Sequence, residues 1–340
     1  MRMRSVLSLI AVVGLFMPGS LQAGVVTFSV TNDAPANGLW IMRPWVGVSD
    51  GGFTTYTIGQ RASAAVQHEA EDGVTGDPAN TLPPSNACTA GAPGQSGSDC
   101  LYQVFKGYAN GHSQTTIGNP TKPGVTISGN LAADPANPLS RYLDYLVMAV
   151  PSNDTFFGTP TSAPVQLFDA SGKFLGTGAD DAISIAVYAG KTVLTSADGT
   201  TTYDGADGGG LLDAGTELNN ECAADPNPSD PASVQFQYTH DTAFLCQPSV
   251  GGAGTGVHTG VSNMVEPDTT PFGPNIVNGS NMFPAGTTNI FPNVNDAFAN
   301  PQDPVATIEI TFAPEPASIA LLGAGVGMLG LLGFLGRRRG

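Results

Sequence analysis

The chain reads as an all-β protein, an antiparallel β-sandwich with long loops, one short helix and a membrane-spanning helix at its C-terminal end. Three observations predict the β class. Gly (44) and Pro (27) make up about a fifth of the 340 residues, too many helix breakers for a helical protein. Charged residues are only 12% while apolar ones are 41%, which is too much apolar content for a disordered chain. Short runs that alternate apolar and polar side chains recur between Gly, Pro, Asn and Asp clusters, the pattern of half-buried strands joined by turns.

Taken in order, residues 25–31 alternate as a strand with one wet face should. Residues 39–48 carry both tryptophans, Trp40 and Trp45, and predict an early core strand. Further strands are predicted at 53–58, 101–105, 142–150, 165–168, 182–188, 193–195, 234–238 and 305–312. The one helix predicted runs from a Ser63 cap to Glu71, with Gly73 as its stop. Residues 73–98 and 222–232 read as loop insertions, and 248–300 are poor in periodicity. With no fixed-period repeat and no linker between two cores, residues 24–312 are expected to form one domain.

The two ends carry different signals. Arg2 and Arg4 precede an apolar run over 6–17 and a small residue at Ala23, the pattern of a cleaved signal peptide covering residues 1–23. The run is too short to cross about 30 Å of hydrocarbon. At the other end Pro314, Glu315 and Pro316 precede nineteen apolar or small residues and then Arg337, Arg338 and Arg339. That stretch is just long enough to span a bilayer, and the arginines should stay on the cytoplasmic side. In this order the tripeptide, Gly/Leu-rich helix and terminal arginines resemble the PEP-CTERM sorting signal of Gram-negative bacteria. The resemblance implies that residues 313–340 are recognised by an exosortase-type enzyme and cut near the tripeptide, and that the domain before them is released toward the cell surface or extracellular matrix. Before cutting, the chain would be held in the membrane by this helix.

The formal charge is −16, and five of the 12 basic residues but only one of the 28 acidic ones lie in these two ends. The part between is therefore more acidic still. Such a surface repels phosphate backbones, so a nucleic-acid partner is not expected, and it favours divalent cations. The four cysteines fit export. Cys88 and Cys100 flank one Gly/Ser/Pro loop, and Cys222 and Cys246 flank a Pro-rich stretch, suggesting two local disulfides, although four cysteines allow three connectivities. A zinc site is the weaker reading, since no Cys-x-x-Cys occurs.

Catalytic motifs fail. His68-Glu69 opens a metalloprotease-like pattern, but Asp72 stands where the second His belongs. No Gly-x-Ser-x-Gly elbow exists, and the glycine-rich residues 251–256 lack the Lys-Ser/Thr of a phosphate loop. The four histidines, 68, 112, 240 and 258, show no metal-ligand spacing. An enzyme is not expected. For a rival reading as an extracellular hydrolase acting on polysaccharide, the only acid pairs are Asp180 with Asp181 and Glu69 with Glu71. A structural matrix protein without a specific ligand is a further alternative. Asp213 and Glu217 flank a Gly turn, and Asp154 follows an apolar run; this spacing can serve a calcium loop, but by itself it favours solvated turns.

Several short blocks, in order along the chain, resemble the spondin domain. They are Val25-Val26-Thr27-Phe28-Ser29-Val30-Thr31-Asn32, then Gly59-Gln60-Arg61-Ala62-Ser63 and Ala70-Glu71-Asp72-Gly73. Next come Tyr145-Leu146-Val147-Met148-Ala149-Val150-Pro151-Ser152-Asn153-Asp154, Leu212-Asp213-Ala214-Gly215-Thr216-Glu217, and the closing Asn300 to Ile308. The resemblance implies a β-sandwich of extracellular matrix and adhesion proteins that binds a surface ligand or polysaccharide. It further implies a Ca2+ site with Asp154, Asp213 and Glu217 as ligands. Glu217 departs from the Asp of the animal pattern by one methylene.

Overall fold

The computed structural model describes residues 23–34, 40–79, 100–150, 155–214, 264–267 and 304–315. It is mostly β, built of two antiparallel sheets. The first sheet has six strands in the order β11-β10-β9-β14-β1-β5. These are β1 (Gly24–Asn32), β5 (Thr126–Ala133), β9 (Ile183–Val187), β10 (Lys191–Ser196), β11 (Gly199–Asp204) and β14 (Ala306–Pro314). The second runs β13-β12-β7-β6-β3-β4, with β2 and β8 each pairing β6 off that path. Its members are β2 (Trp40–Ile41), β3 (Trp45–Ser49), β4 (Gly111–Thr116), β6 (Tyr142–Val150), β7 (Thr155–Gly158), β8 (Val165–Gln166), β12 (Leu212–Asp213) and β13 (Glu266–Pro267).

The alternation legible in β1 sets the first layer. Val26, Phe28 and Val30 are fully buried, while Val25 and its alternates face outward. Their inward faces meet Tyr145 and Val147 of β6 and Ile308 and Ile310 of β14 in one apolar core between the sheets. Phe28 and Tyr145, from opposite sheets, lie 5.5 Å apart ring to ring. Each such fully buried side chain contributes roughly 1.5–3 kcal/mol relative to exposure. The first and last strands of the domain are partners, Gly24 opposite Pro314, so the two ends of the fold are tied in a single sheet. The last strand thus runs two residues past the expected boundary at 312, and Glu315 donates its backbone N–H to Ala23.

A second apolar cluster covers the other face of the second sheet. Trp45, Leu146 and Phe156 there pack against helix α1 (Ala64–Asp72) and helix α2 (Leu101–Lys106) through Val66, Leu101 and Phe105. Helix α1 forms as expected: the Ser63 hydroxyl accepts from Val66 N at 3.3 Å, and Gly73 closes it with φ 60°.

Four expectations need correction. Residues 101–105 form helix α2, not a strand, because Leu101 and Phe105 are buried four apart, the spacing of one helical face. There are therefore two α-helices among the described residues, not one. The expected continuous strand at 39–48 is interrupted between Ile41 and Trp45. Pro44 lacks the N–H a ladder needs, and β2 and β3 pair separate parts of β6. Among the described residues, 53–58 pair with no strand, and β4 and β5 arise where no strand was predicted. The composition of β4, Gly-His-Ser-Gln-Thr-Thr, carries no apolar alternation to announce it. Residues 73–79, the described part of the expected 73–98 loop, are loop as expected, and they pack closely. Thr75 and Asp77 are buried, and the Gln103 side chain donates to Gly76 O at 2.6 Å.

Residues 234–238, the segment 222–232 and the tail from Pro316 through Arg337, Arg338 and Arg339 lie outside the described residues. Among the described residues no helix is long and apolar enough to cross a membrane.

Candidate functional site

Of the three expected calcium ligands, Asp213 alone is described; Asp154 and Glu217 lie outside the described residues. Asp213 is 1% exposed and sits in β12 directly opposite Thr155, the first residue of β7 and the one after Asp154 in the chain. On its other side it pairs with Glu266 of β13. Among the described residues no three His, Cys, Asp or Glu side chains converge as a metal centre. Cys100 is buried and disulfide-bonded, while Cys88, Cys222 and Cys246 lie outside the described residues.

The acid pairs considered for polysaccharide hydrolysis are poorly placed. Asp180 and Asp181 are both exposed in a tight turn, where Asp181 adopts φ 49°. Glu69 is fully buried on helix α1, out of reach of any substrate. Burial pushes its carboxyl well above the usual range, and the nearby Arg43 charge only partly opposes that. Neither oxygen of Glu69 has a hydrogen-bond partner.

A different polar cluster lies on the covered face of the second sheet, built by strand pleating. In β6, Leu143, Tyr145 and Val147 point into the core between the sheets, so Asp144 points the other way. Opposite it stands Gly47, and two residues further along β3 is Ser49. Asp144 is fully buried. Its Oδ1 accepts from the Thr159 hydroxyl at 3.2 Å, and the Ser49 hydroxyl bonds the same carboxyl. Its Oδ2 is buried with no hydrogen-bond partner.

Asp50 follows Ser49 in the turn after β3. Its Oδ1 accepts from Tyr108 Oη at 2.7 Å and from Gly52 N at 3.0 Å, and its Oδ2 accepts from Asn110 Nδ2 at 2.7 Å. The two carboxyls are driven apart. Burial raises Asp144 to about 7, against the hydrogen bonds from Thr159 and Ser49, with the Asp50 charge adding to the rise. For Asp50 burial also pushes upward, but the bonds from Tyr108, Gly52 and Asn110 outweigh it and leave the carboxyl below its ordinary value. Among the described residues no basic side chain acts on either acid.

Segment 53–58 lies over this cluster. Thr55 donates its hydroxyl to Thr159 O, and Tyr56 Oη reaches Gly158 O at 2.9 Å and Gly208 O at 2.8 Å. Sequence reasoning missed Asp144 and Asp50. The available signal was a single acid inside the otherwise apolar run Tyr-Leu-Asp-Tyr-Leu-Val-Met-Ala-Val, a position a strand fills with charge only for a reason.

By fold, this is an antiparallel β-sandwich with helices laid over one sheet. No protein-family model matches the chain, and no curated protein does.

Proposed function

We propose that this chain is an exported, non-catalytic binding or adhesion module of the spondin type, with calcium ordering the loops at the β7–β12 edge. The observation that carries this reading is the pairing of Thr155 with Asp213. The strand that begins right after Asp154 and the strand that holds Asp213 are neighbours, which the ligand set requires. Asp213 is buried, as a carboxylate that shares an ion would be. The order of the sequence blocks supports the same reading, because they run from the first strand of the fold to the last.

Under this proposal the signal peptide sends the chain across the inner membrane. The C-terminal helix holds it there until an exosortase-type enzyme cuts near Pro314-Glu315-Pro316. The released domain then binds an extracellular polysaccharide or another surface ligand. A bound ion stabilises the folded state by mass action, about 2.7 kcal/mol when calcium is at a hundred times its Kd. Millimolar calcium should therefore raise the melting temperature by several degrees over protein in EDTA, and Asp213→Asn should cut that rise by at least half. An unchanged melting temperature, or an equal rise in the variant, refutes the calcium reading.

A further inference from the structure

The outer backbone of β11 carries hydrogen-bonding groups that no described residue takes up. The outer N–H and C=O groups of an edge strand invite a further strand, and proteins block such edges with short strands, proline or a covering element. Among the described residues the other sheet edges are blocked in these ways. At β5 and β4 the two sheets close on one another, where the Ser113 hydroxyl donates to Ala132 O at 2.6 Å. Strand β13 is two residues long and ends in Pro267, which has no N–H. Strand β11 has none of these devices. It is six residues long, Gly-Thr-Thr-Thr-Tyr-Asp, with neither Pro nor Lys, and every residue but Tyr203 is exposed.

The hairpin register settles which groups are free. Ser196 and Gly199 pair across the two-residue turn between β10 and β11, so they form a hydrogen-bonded pair, and such pairs alternate along the ladder. Thr201 and Tyr203 therefore turn their N–H and C=O toward Leu194 and Thr192 of β10. Thr200 and Thr202 turn theirs outward, about 6.8 Å apart. Asp204 O is taken by Gly209 N at 2.8 Å, which ends the open stretch.

Charge selects what fills this edge. Its centre is uncharged, but exposed acids stand at both ends, Asp198 in the turn before it and Asp204 and Asp207 after it. The only basic residue of β10 is Lys191, opposite Asp204. A second copy paired antiparallel would set Asp198 of each chain beside the Asp204 end of the other, acid against acid, between chains of formal charge −16. A strand with basic ends meets no such repulsion. We propose that the open edge of β11 accepts an extended segment of a partner protein by strand addition, with an uncharged β-branched centre and Lys or Arg at its ends. The backbone of Thr200 and Thr202 holds the segment, and Asp198, Asp204 and Asp207 set its charge. This edge belongs to the first sheet and does not depend on the calcium reading at Asp213 in the second.

The test uses the full chain and a fluorescent synthetic peptide, Lys-Lys-Val-Thr-Val-Thr-Lys-Lys, with Glu replacing every Lys in its control. Anisotropy should show saturable binding of the basic peptide, and binding of the acidic one should be about tenfold weaker or less. Amide exchange followed by NMR should find Thr200 and Thr202 fast in the chain alone and slowed about tenfold with peptide bound, while Thr201 and Tyr203 are slow throughout. Thr202→Pro removes one outward N–H and spares the ladder to β10, so it should weaken binding by roughly fivefold or more. If circular dichroism shows that this variant does not fold, methylating alternate backbone nitrogens of the peptide makes the same test. Absent or non-saturable binding, equal binding of the acidic peptide, or Thr200 and Thr202 amides that stay fast with peptide bound each overturn the proposal. So does protection of those two amides in the chain alone that grows with protein concentration, which would place a second copy on the edge.

Discussion

Tyr56→Phe is the sharpest single test of how the covered face is held together. The Tyr56 ring is buried and meets Phe156 at 5.0 Å with the planes 82° apart, a contact that phenylalanine preserves. The variant therefore opens no cavity, and the whole effect comes from one hydroxyl. That hydroxyl lies 2.9 Å from Gly158 O on β7 and 2.8 Å from Gly208 O beside the turn after β11, so one proton is shared between two carbonyls. Burial, followed by the nearby Tyr145 and Asp144, raises the phenol well above its usual value, so it stays a donor at any working pH. Losing it leaves two carbonyls short of a donor, at a cost of about 1–3 kcal/mol. For a fold of this size, 2 kcal/mol lowers the melting temperature by about 4–8 °C. Urea denaturation and calorimetry should both report the loss with an unchanged m-value. A change under about 0.5 kcal/mol refutes the claim that segment 53–58 is pinned through this hydroxyl.

Two more predictions follow from helix α1, besides the calcium experiment above. Gly73→Ala should cost about 1–3 kcal/mol by urea denaturation, because φ 60° disfavours a side chain and the new Cβ would stand 2.8 Å from Met42 Cε; a neutral change would show that Met42 gives way freely. Glu69 holds its proton more tightly folded than unfolded, so the unfolded chain binds fewer protons and stability falls as pH rises from the ordinary carboxyl range through the raised value. Glu69→Gln should flatten that slope, leaving the part that the raised carboxyl of Asp144 contributes. Parallel slopes in the two proteins, measured from pH 4.5 upward, would refute it.

Much of the architecture was legible because strand pleating and helix caps are written locally. The alternation of β1 and β9 and the closing strand β14 are visible in a few residues each, as are the Ser63 cap and the Gly73 stop of α1. Helix α2 was misread because five residues with apolar ends suit either period, and only burial of Leu101 with Phe105 decides between them. Strand β4 was invisible because its side chains carry no apolar alternation, and β5 because Gly129 and Asn130 interrupt its apolar residues. Their partners β3 and β1 provide the ladder that makes them strands. The expected ligand set was only partly placed, since Asp154 and Glu217 lie outside the described residues.

By itself the sequence determined the β class, the acidic balance that disfavours nucleic acid, and the first and last strands of the domain. These depend on composition and on contacts within a few residues. Tertiary structure alone decided that Thr155 faces Asp213 and that Asp144 is buried with one oxygen unpartnered. Those facts join residues dozens of positions apart, and only pairing of distant strands sets which side chains share a face.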